Sequence, residues 1–98
     1  MAAYIIAEVD VHDPAGFEEY RKRVPATLVP YDGRFIIRGG QTEVLEGDWT
    51  PKRVVVLEFP DFARAREWWA SQEYLEPKKM RQRTARTNLI VVDGYKPA

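Results

Sequence analysis

The sequence contains no cysteine. That excludes a disulfide framework, a thiolate nucleophile, a cysteine-based zinc site and an iron–sulfur cluster. It has one histidine, His12, and one serine, Ser71. Any metal would have to be held mostly by carboxylates and carbonyls, and any serine–histidine nucleophile would have to use that single pair. Charge of one sign is not in excess either, since 15 Lys and Arg balance 15 Asp and Glu and the pI is near 6.6. A dedicated nucleic-acid binder shows a basic surplus, so no nucleic-acid partner is expected. No apolar run approaches the roughly 20 residues that span a bilayer. Met1 to Ile6 lack a basic region before their apolar residues, and charge returns at Glu8, so they read as a strand rather than a signal peptide. A cytoplasmic protein with no membrane partner is expected. What is present, 45% hydrophobic and 31% charged residues in a chain of 98, suits one domain over residues 1–98 with one modest core.

Tyr4 to Val11 is largely β-branched or aromatic and reads as a first strand. Asp13 offers a helix N-cap with Pro14 at the first helical position. Phe17, Tyr20 and Val24 follow at helical spacing, and Glu18, Glu19, Arg21, Lys22 and Arg23 cover the other faces. Pro25 is expected to end or kink this helix, with a short turn over Ala26–Val29 beyond it. Tyr31-Asp32-Gly33 reads as a turn, with the glycine free to take positive φ. Arg34–Arg38 is the second strand, Gly39-Gly40 a bulge or bend, and Thr42–Leu45 a resumption of pairing. Arg53–Phe59 is the third strand. Asp61 caps a helix in which Phe62, Ala65 and Trp69 share a stripe, with Trp68 turned about 100° from Trp69. Pro77 argues against one unbroken helix, so a restart there running to about Arg83 is expected. Asn88–Val92 is the last strand. The order of strand, helix, strand, strand, helix, strand is that of an α+β, ferredoxin-like βαββαβ fold with a four-stranded antiparallel sheet.

Two helices cover one side of such a sheet. Yet the third strand places Val54 and Val56 on one face and Val55, Leu57 and Phe59 on the other, and Ile90 and Val92 oppose Leu89 and Val91. A wetted face should be polar, and an open apolar one exceeds what a monomer usually exposes. A second copy of the chain is the simplest cover, so a homodimer is expected.

The ordered set Arg38-Gly39-Gly40, Leu45-Glu46-Gly47-Asp48-Trp49, Pro51-x-Arg53-Val54-Val55-Val56 and Glu58-Phe59-Pro60 resembles a mainly bacterial family, domain of unknown function 1330. So do Ala65, Trp68-Trp69, Ser71, Glu73-Tyr74, Arg81 and Val91-Val92-Asp93-Gly94. The resemblance spans almost the whole chain. Gln72 departs from a proline common after the serine, and Trp69 stands where a tyrosine is common. The resemblance implies a ferredoxin-like protomer paired into a dimeric α/β barrel, and no established activity. Relatives on that barrel include cofactor-free monooxygenases, muconolactone-type isomerases and haem-handling enzymes, an analogy of fold alone.

His12, beside Asp10 and Asp13, reads either as a general base oriented by a carboxylate or as a solvated histidine in a capping turn. Ser71 is better read as a cap than as a nucleophile. Charges beside apolar strands need partners, so Arg38, Glu46, Arg53 and Glu58 read in two ways. They form a network that fixes the fold, or an arginine among them awaits a ligand carboxylate. Several of Tyr20, Tyr31, Trp49, Trp68, Trp69 and Tyr74 are expected to line a cleft between sheet and helices, while Phe17, Phe62 and one of the tryptophans read as core. Lys78, Lys79, Arg81, Arg83 and Arg86 read as a solvated basic face. The expectation is a small homodimer binding a compact anionic or aromatic metabolite, with Arg38 orienting it, acting as a cofactor-free isomerase or monooxygenase or as a non-catalytic binder. Catalytic candidates are His12 and Arg38; Tyr20, Tyr31, Arg38, Trp49, Arg53, Glu58, Trp69 and Tyr74 are the ligand-binding candidates. No metal and no cofactor are expected.

Overall fold

A computed structural model describes residues 1–97. Strands β1 (Ala3–Val11), β2 (Arg34–Arg38), β3 (Val54–Phe59) and β4 (Ala85–Asp93) form one antiparallel sheet in the order β2-β3-β1-β4. Helices α1 (Pro14–Leu28), α2 (Phe62–Trp69) and α3 (Gln72–Thr84) complete a ferredoxin-like α+β arrangement. Period-two alternation sorts β1, with Ala3, Ile5, Ala7 and Val9 buried. Register carries that sorting across the sheet, because Ile5 pairs with Leu57 and Val91, and Ala7 with Val55 and Leu89. The core joins Ile5, Val24, Leu28, Leu57, Phe59, Ala65, Trp68 and Tyr74, with the Trp68 and Tyr74 rings stacked at 3.9 Å.

Several local expectations are corrected. Helix α1 does not stop at Pro25 but continues to Leu28, and α3 runs unbroken through Pro77. Ser71 caps α3 by accepting from the Tyr74 amide at 3.1 Å, so the helix starts before the proline. Pro77 is itself fully buried, and its packing offsets the hydrogen bond it cannot make. At the end of α1 the left-handed residue is Asp32, φ 55°, rather than Gly33. Gly33 is required for another reason, since a Cβ there would strike the Phe59 ring. In α2 the buried stripe is Ala65 and Trp68, while Trp69 stays exposed. The Trp68 indole N–H donates to Thr27 Oγ1 at 3.0 Å, which gives it the buried position.

The stretch between β2 and β3 also differs. Thr42–Leu45 forms no strand, and the chain from Gly40 to Thr50 is exposed and irregular apart from bends. The bulge lies earlier, at Ile36, between Phe35 paired with Leu57 and Ile37 paired with Val56. In a regular strand Phe35 and Arg38 would point to opposite faces. The extra residue restores them to the same face, toward the helices, with Arg38 opposite Val55.

Away from the helices, the sheet presents Ile6, Ile37, Ile90 and Val92 to the surface, from 36% to 59% exposed. Glu58 on this face accepts from Arg34 Nε at 2.6 Å and from the Tyr4 hydroxyl at 3.2 Å. Trp49 reaches it from the loop and donates to Glu8 at 2.7 Å. Among the described residues no helix is long and apolar enough to cross a membrane.

Candidate functional site

Between sheet and helices lies a narrow cavity of about 40 Å³, walled by Phe17, Tyr20 and Arg21 of α1, Phe35 and Arg38 of β2, Arg53, Val55 and Leu57 at β3, and Tyr74 and Arg81 of α3. Arg53 precedes β3 by one residue, and its carbonyl still accepts from the Val9 amide at 2.8 Å. The alternation of β3 therefore extends to it and turns its side chain to the helix side, with Val55 and Leu57.

Arg38 reaches the same place through a proline. Pro25 has no N–H to offer the carbonyl four residues earlier, which is that of Arg21. Arg38 Nη2 donates to the Arg21 carbonyl oxygen at 2.9 Å instead. Its guanidinium also lies over the Phe35 ring, 4.1 Å from the centroid. Arg53 is held by shape. Gly39, φ 70°, packs against its guanidinium so closely that a Cβ would overlap it. On the other side the Phe17 ring lies 5.8 Å away.

Cations outnumber anions here, and Glu18, outside the cavity wall, partly answers them by favouring the charged forms of Arg38 and Arg53. Arg21 is paired with Glu18 at 3.1 Å, but its buried Nε has no partner among the described residues. The buried Nε of Arg53 has none either. Burial lowers the pKa of both the Arg38 and Arg53 guanidinium groups, and the like charge of Arg21 lowers each further. Both remain cations at neutral pH, being arginines. Arg81, which reads from sequence as part of a solvated face, is 6% exposed. No Asp, Glu or His lines the cavity. A site with this excess of guanidinium groups and no carboxylate of its own can bind an anion, and bidentate pairing with a carboxylate or phosphate is the geometry such groups favour.

Tyr20 and Tyr74 meet at the cavity wall, their hydroxyl oxygens 2.8 Å apart. Burial, followed by the neighbouring Tyr74, holds the Tyr20 phenol well above its ordinary pKa. It is a neutral hydroxyl at physiological pH.

Of the site candidates singled out from sequence, Tyr20, Arg38, Arg53, Trp68 and Tyr74 share this cavity, Trp68 as part of the core beneath it. The sheet separates Glu58 from them, because it sits an odd number of positions from Arg53 on the same strand. Glu46 lies in the exposed loop. The four charges Arg38, Glu46, Arg53 and Glu58 therefore do not form one network. Tyr31 closes the 3-10 turn after α1 and donates to Glu73 at 2.8 Å. Trp49 lies on the far side of the sheet, and Trp69 packs beneath the Lys78 ammonium, 3.9 Å from the ring centroid. His12 is exposed in the turn after β1, where its amide donates to the Thr84 carbonyl at 3.0 Å. Ser71 is engaged as a cap, its hydroxyl donating to the Trp68 carbonyl at 2.7 Å.

Arg21 and Arg81 read from sequence as solvent-facing charges and not as site residues. Arg81 had a signal, since Tyr74, Pro77, Arg81 and Thr84 fall on one helical stripe and all four are buried. Arg21 follows Tyr20 and lies four residues beyond Phe17, at the edge of the apolar stripe of α1.

Residues 2–95 match the model of a protein family described as a domain of unknown function, DUF1330. The chain belongs to the DUF1330 family. Its fold is similar to that of a protein of unknown function from Rhodopseudomonas palustris, at a TM-score of 0.77 and 20% identity, over 98% of this chain and 84% of that one. SnoaB, a cofactor-independent oxygenase from Streptomyces nogalater, is similar at a TM-score of 0.66 and 16% identity, over 98% and 95%. A dimeric protein of unknown function with a ferredoxin-like fold, from Bacteroides fragilis, is similar at 0.62 and 10%, over 95% and 96%. At these identities the likeness of the DUF1330 chain to all three is one of fold. No curated protein matches it in sequence.

Proposed function

We propose that this DUF1330 protein is a homodimer that binds a compact anionic metabolite, foremost a carboxylate, in the cavity of each protomer. The observation that carries the reading is the convergence of Arg21, Arg38 and Arg53 on one cavity that no carboxylate lines. Crowding like charges in a partly buried space is unfavourable unless an anion answers them. The cavity is far smaller than the roughly 300–1,000 Å³ usual for drug-sized ligands, which favours a small acid. The Phe17, Phe35 and Tyr20 rings suit a flat or short apolar body. The exposed apolar face of the sheet, together with the dimeric Bacteroides fragilis relative, supports the assembly, which sedimentation equilibrium checks.

Thermal denaturation with and without propionate tests the binding. A ligand present at 100 times its Kd adds about 2.7 kcal/mol, so a clear rise in Tm is expected. No shift with propionate at tens of millimolar would sink the reading. The likeness to SnoaB favours a second reading, a cofactor-free monooxygenase or isomerase in which the guanidinium groups hold an enolate oxygen. Plain binding is preferred, because with no carboxylate or imidazole on the wall a carbon acid finds no base there.

A further inference from the structure

We propose that the cavity selects short carboxylates that carry a second acceptor oxygen beside the carboxylate, the 2-oxo and 2-hydroxy acids, with the Tyr20 hydroxyl donating to that second oxygen. This rests on the anion-site reading above and adds to it a direction of hydrogen bonding. Tyr74 is 1% exposed, so its hydroxyl needs protein partners for both its oxygen and its proton. Arg81 Nε, which can only donate, stands 3.3 Å from the Tyr74 oxygen. The Tyr74 proton has one acceptor among the described residues, the Tyr20 oxygen at 2.8 Å. Were Tyr20 the donor of that bond, a buried proton on Tyr74 would be left without an acceptor, which is the costlier arrangement. The chain of donation therefore runs from Arg81 to Tyr74 to Tyr20.

Tyr20 accepts at its oxygen and keeps its own proton for something else. No other acceptor for it exists among the described residues, and the ring lines the cavity. Because burial keeps the phenol protonated, Tyr20 is a donor rather than a base. It also stands beside the anion site. The Tyr20 and Phe17 rings are 5.3 Å apart, and Phe17 in turn lies under the Arg53 guanidinium. Arg53, Phe17 and Tyr20 thus succeed one another around a small space. A ligand whose carboxylate meets the guanidinium groups brings an adjacent oxygen within the range of that hydroxyl, whereas a plain acid offers the hydroxyl nothing.

Isothermal titration of the wild-type protein with pyruvate and with propionate tests this, since the two differ only in the oxygen on C2. Pyruvate is expected to bind about tenfold more tightly, the worth of one satisfied hydrogen bond in a buried site. In Tyr20→Phe the preference should be lost, the two affinities falling within about twofold of each other. Equal affinities in the wild type would overturn the Tyr20 assignment while leaving the anion site standing, and this comparison needs no variant to fold. A preference for pyruvate that survives in Tyr20→Phe would also overturn it, by assigning the second oxygen to an arginine. Failure of both acids to bind the wild type would overturn the anion site itself.

Discussion

Arg38 owes its position to a residue that breaks the rules of its own helix. Pro25 removes a donor from the middle of α1, and the Arg21 carbonyl it leaves behind is taken by Arg38, seventeen residues further along the chain. The guanidinium that faces the cavity is thereby tethered through one nitrogen, with its remaining donors available. Pro25→Ala restores the helical donor, which competes with Arg38 for the same carbonyl. An interior proline costs about 3 kcal/mol in a helix, and its stiffening of the unfolded chain returns about 0.4–1 kcal/mol. Displacing the Arg38 hydrogen bond gives up about 0.5–1.5 kcal/mol more, so the variant should be more stable by roughly 0.5–2 kcal/mol, while binding propionate no less tightly than the wild type. Chemical denaturation checks the first expectation and titration the second; a lower midpoint would show that the proline is not an isolated fault in the helix. From sequence, Pro25 reads as a helix end because the rule concerns local hydrogen bonds. The compensating donor comes from another element and leaves no trace in the residues around the proline.

Strand and helix order were legible because periodicity and caps are local signals. β1 and β3 fall within a residue of their expected bounds, α2 begins at Phe62 as expected, and Asp13 and Asp61 cap as expected, accepting from Gly16 and Arg64 amides. The bulge was not legible, since Gly39-Gly40 attracts the assignment and Ile36 has nothing unusual about it. That single displacement decides which face Arg38 joins. The paired apolar faces of β3 and β4 were legible, and they carry the expectation of a dimer. Ile90 on β4 is 59% exposed and sits on the uncovered face opposite Ile6. Ile90→Lys should leave the protomer folded, because the side chain does not enter the core, and should shift sedimentation equilibrium at micromolar concentration from dimer to monomer. An unchanged dimer would move the interface elsewhere.

The molecule is neutral as a whole, yet its arginines are locally concentrated. Arg21, Arg38, Arg53 and Arg81 gather around a cavity that no carboxylate lines, with Glu18 outside its wall paired to Arg21. A formal charge of zero conceals this, and so a composition that argues against nucleic acid says nothing about a small anion. Folding also brought together residues from α1, β2, β3 and α3 that share no sequence motif, which is why two of the four arginines read from sequence as solvated. Arg53 is the member with the least structural employment: it makes no side-chain hydrogen bond within the described residues, its Nε is buried, and burial together with Arg21 and Arg38 disfavours its charge. Thermal denaturation of Arg53→Met, with and without propionate, therefore separates a ligand anchor from a scaffold. The expected result is a ligand-free Tm equal to or above that of the wild type, since a crowded charge is exchanged for an apolar chain of similar reach, and a propionate shift that is lost. A ligand-free protein destabilised by roughly 3–5 kcal/mol, as when a buried ion pair is broken, together with an intact propionate shift, would contradict it.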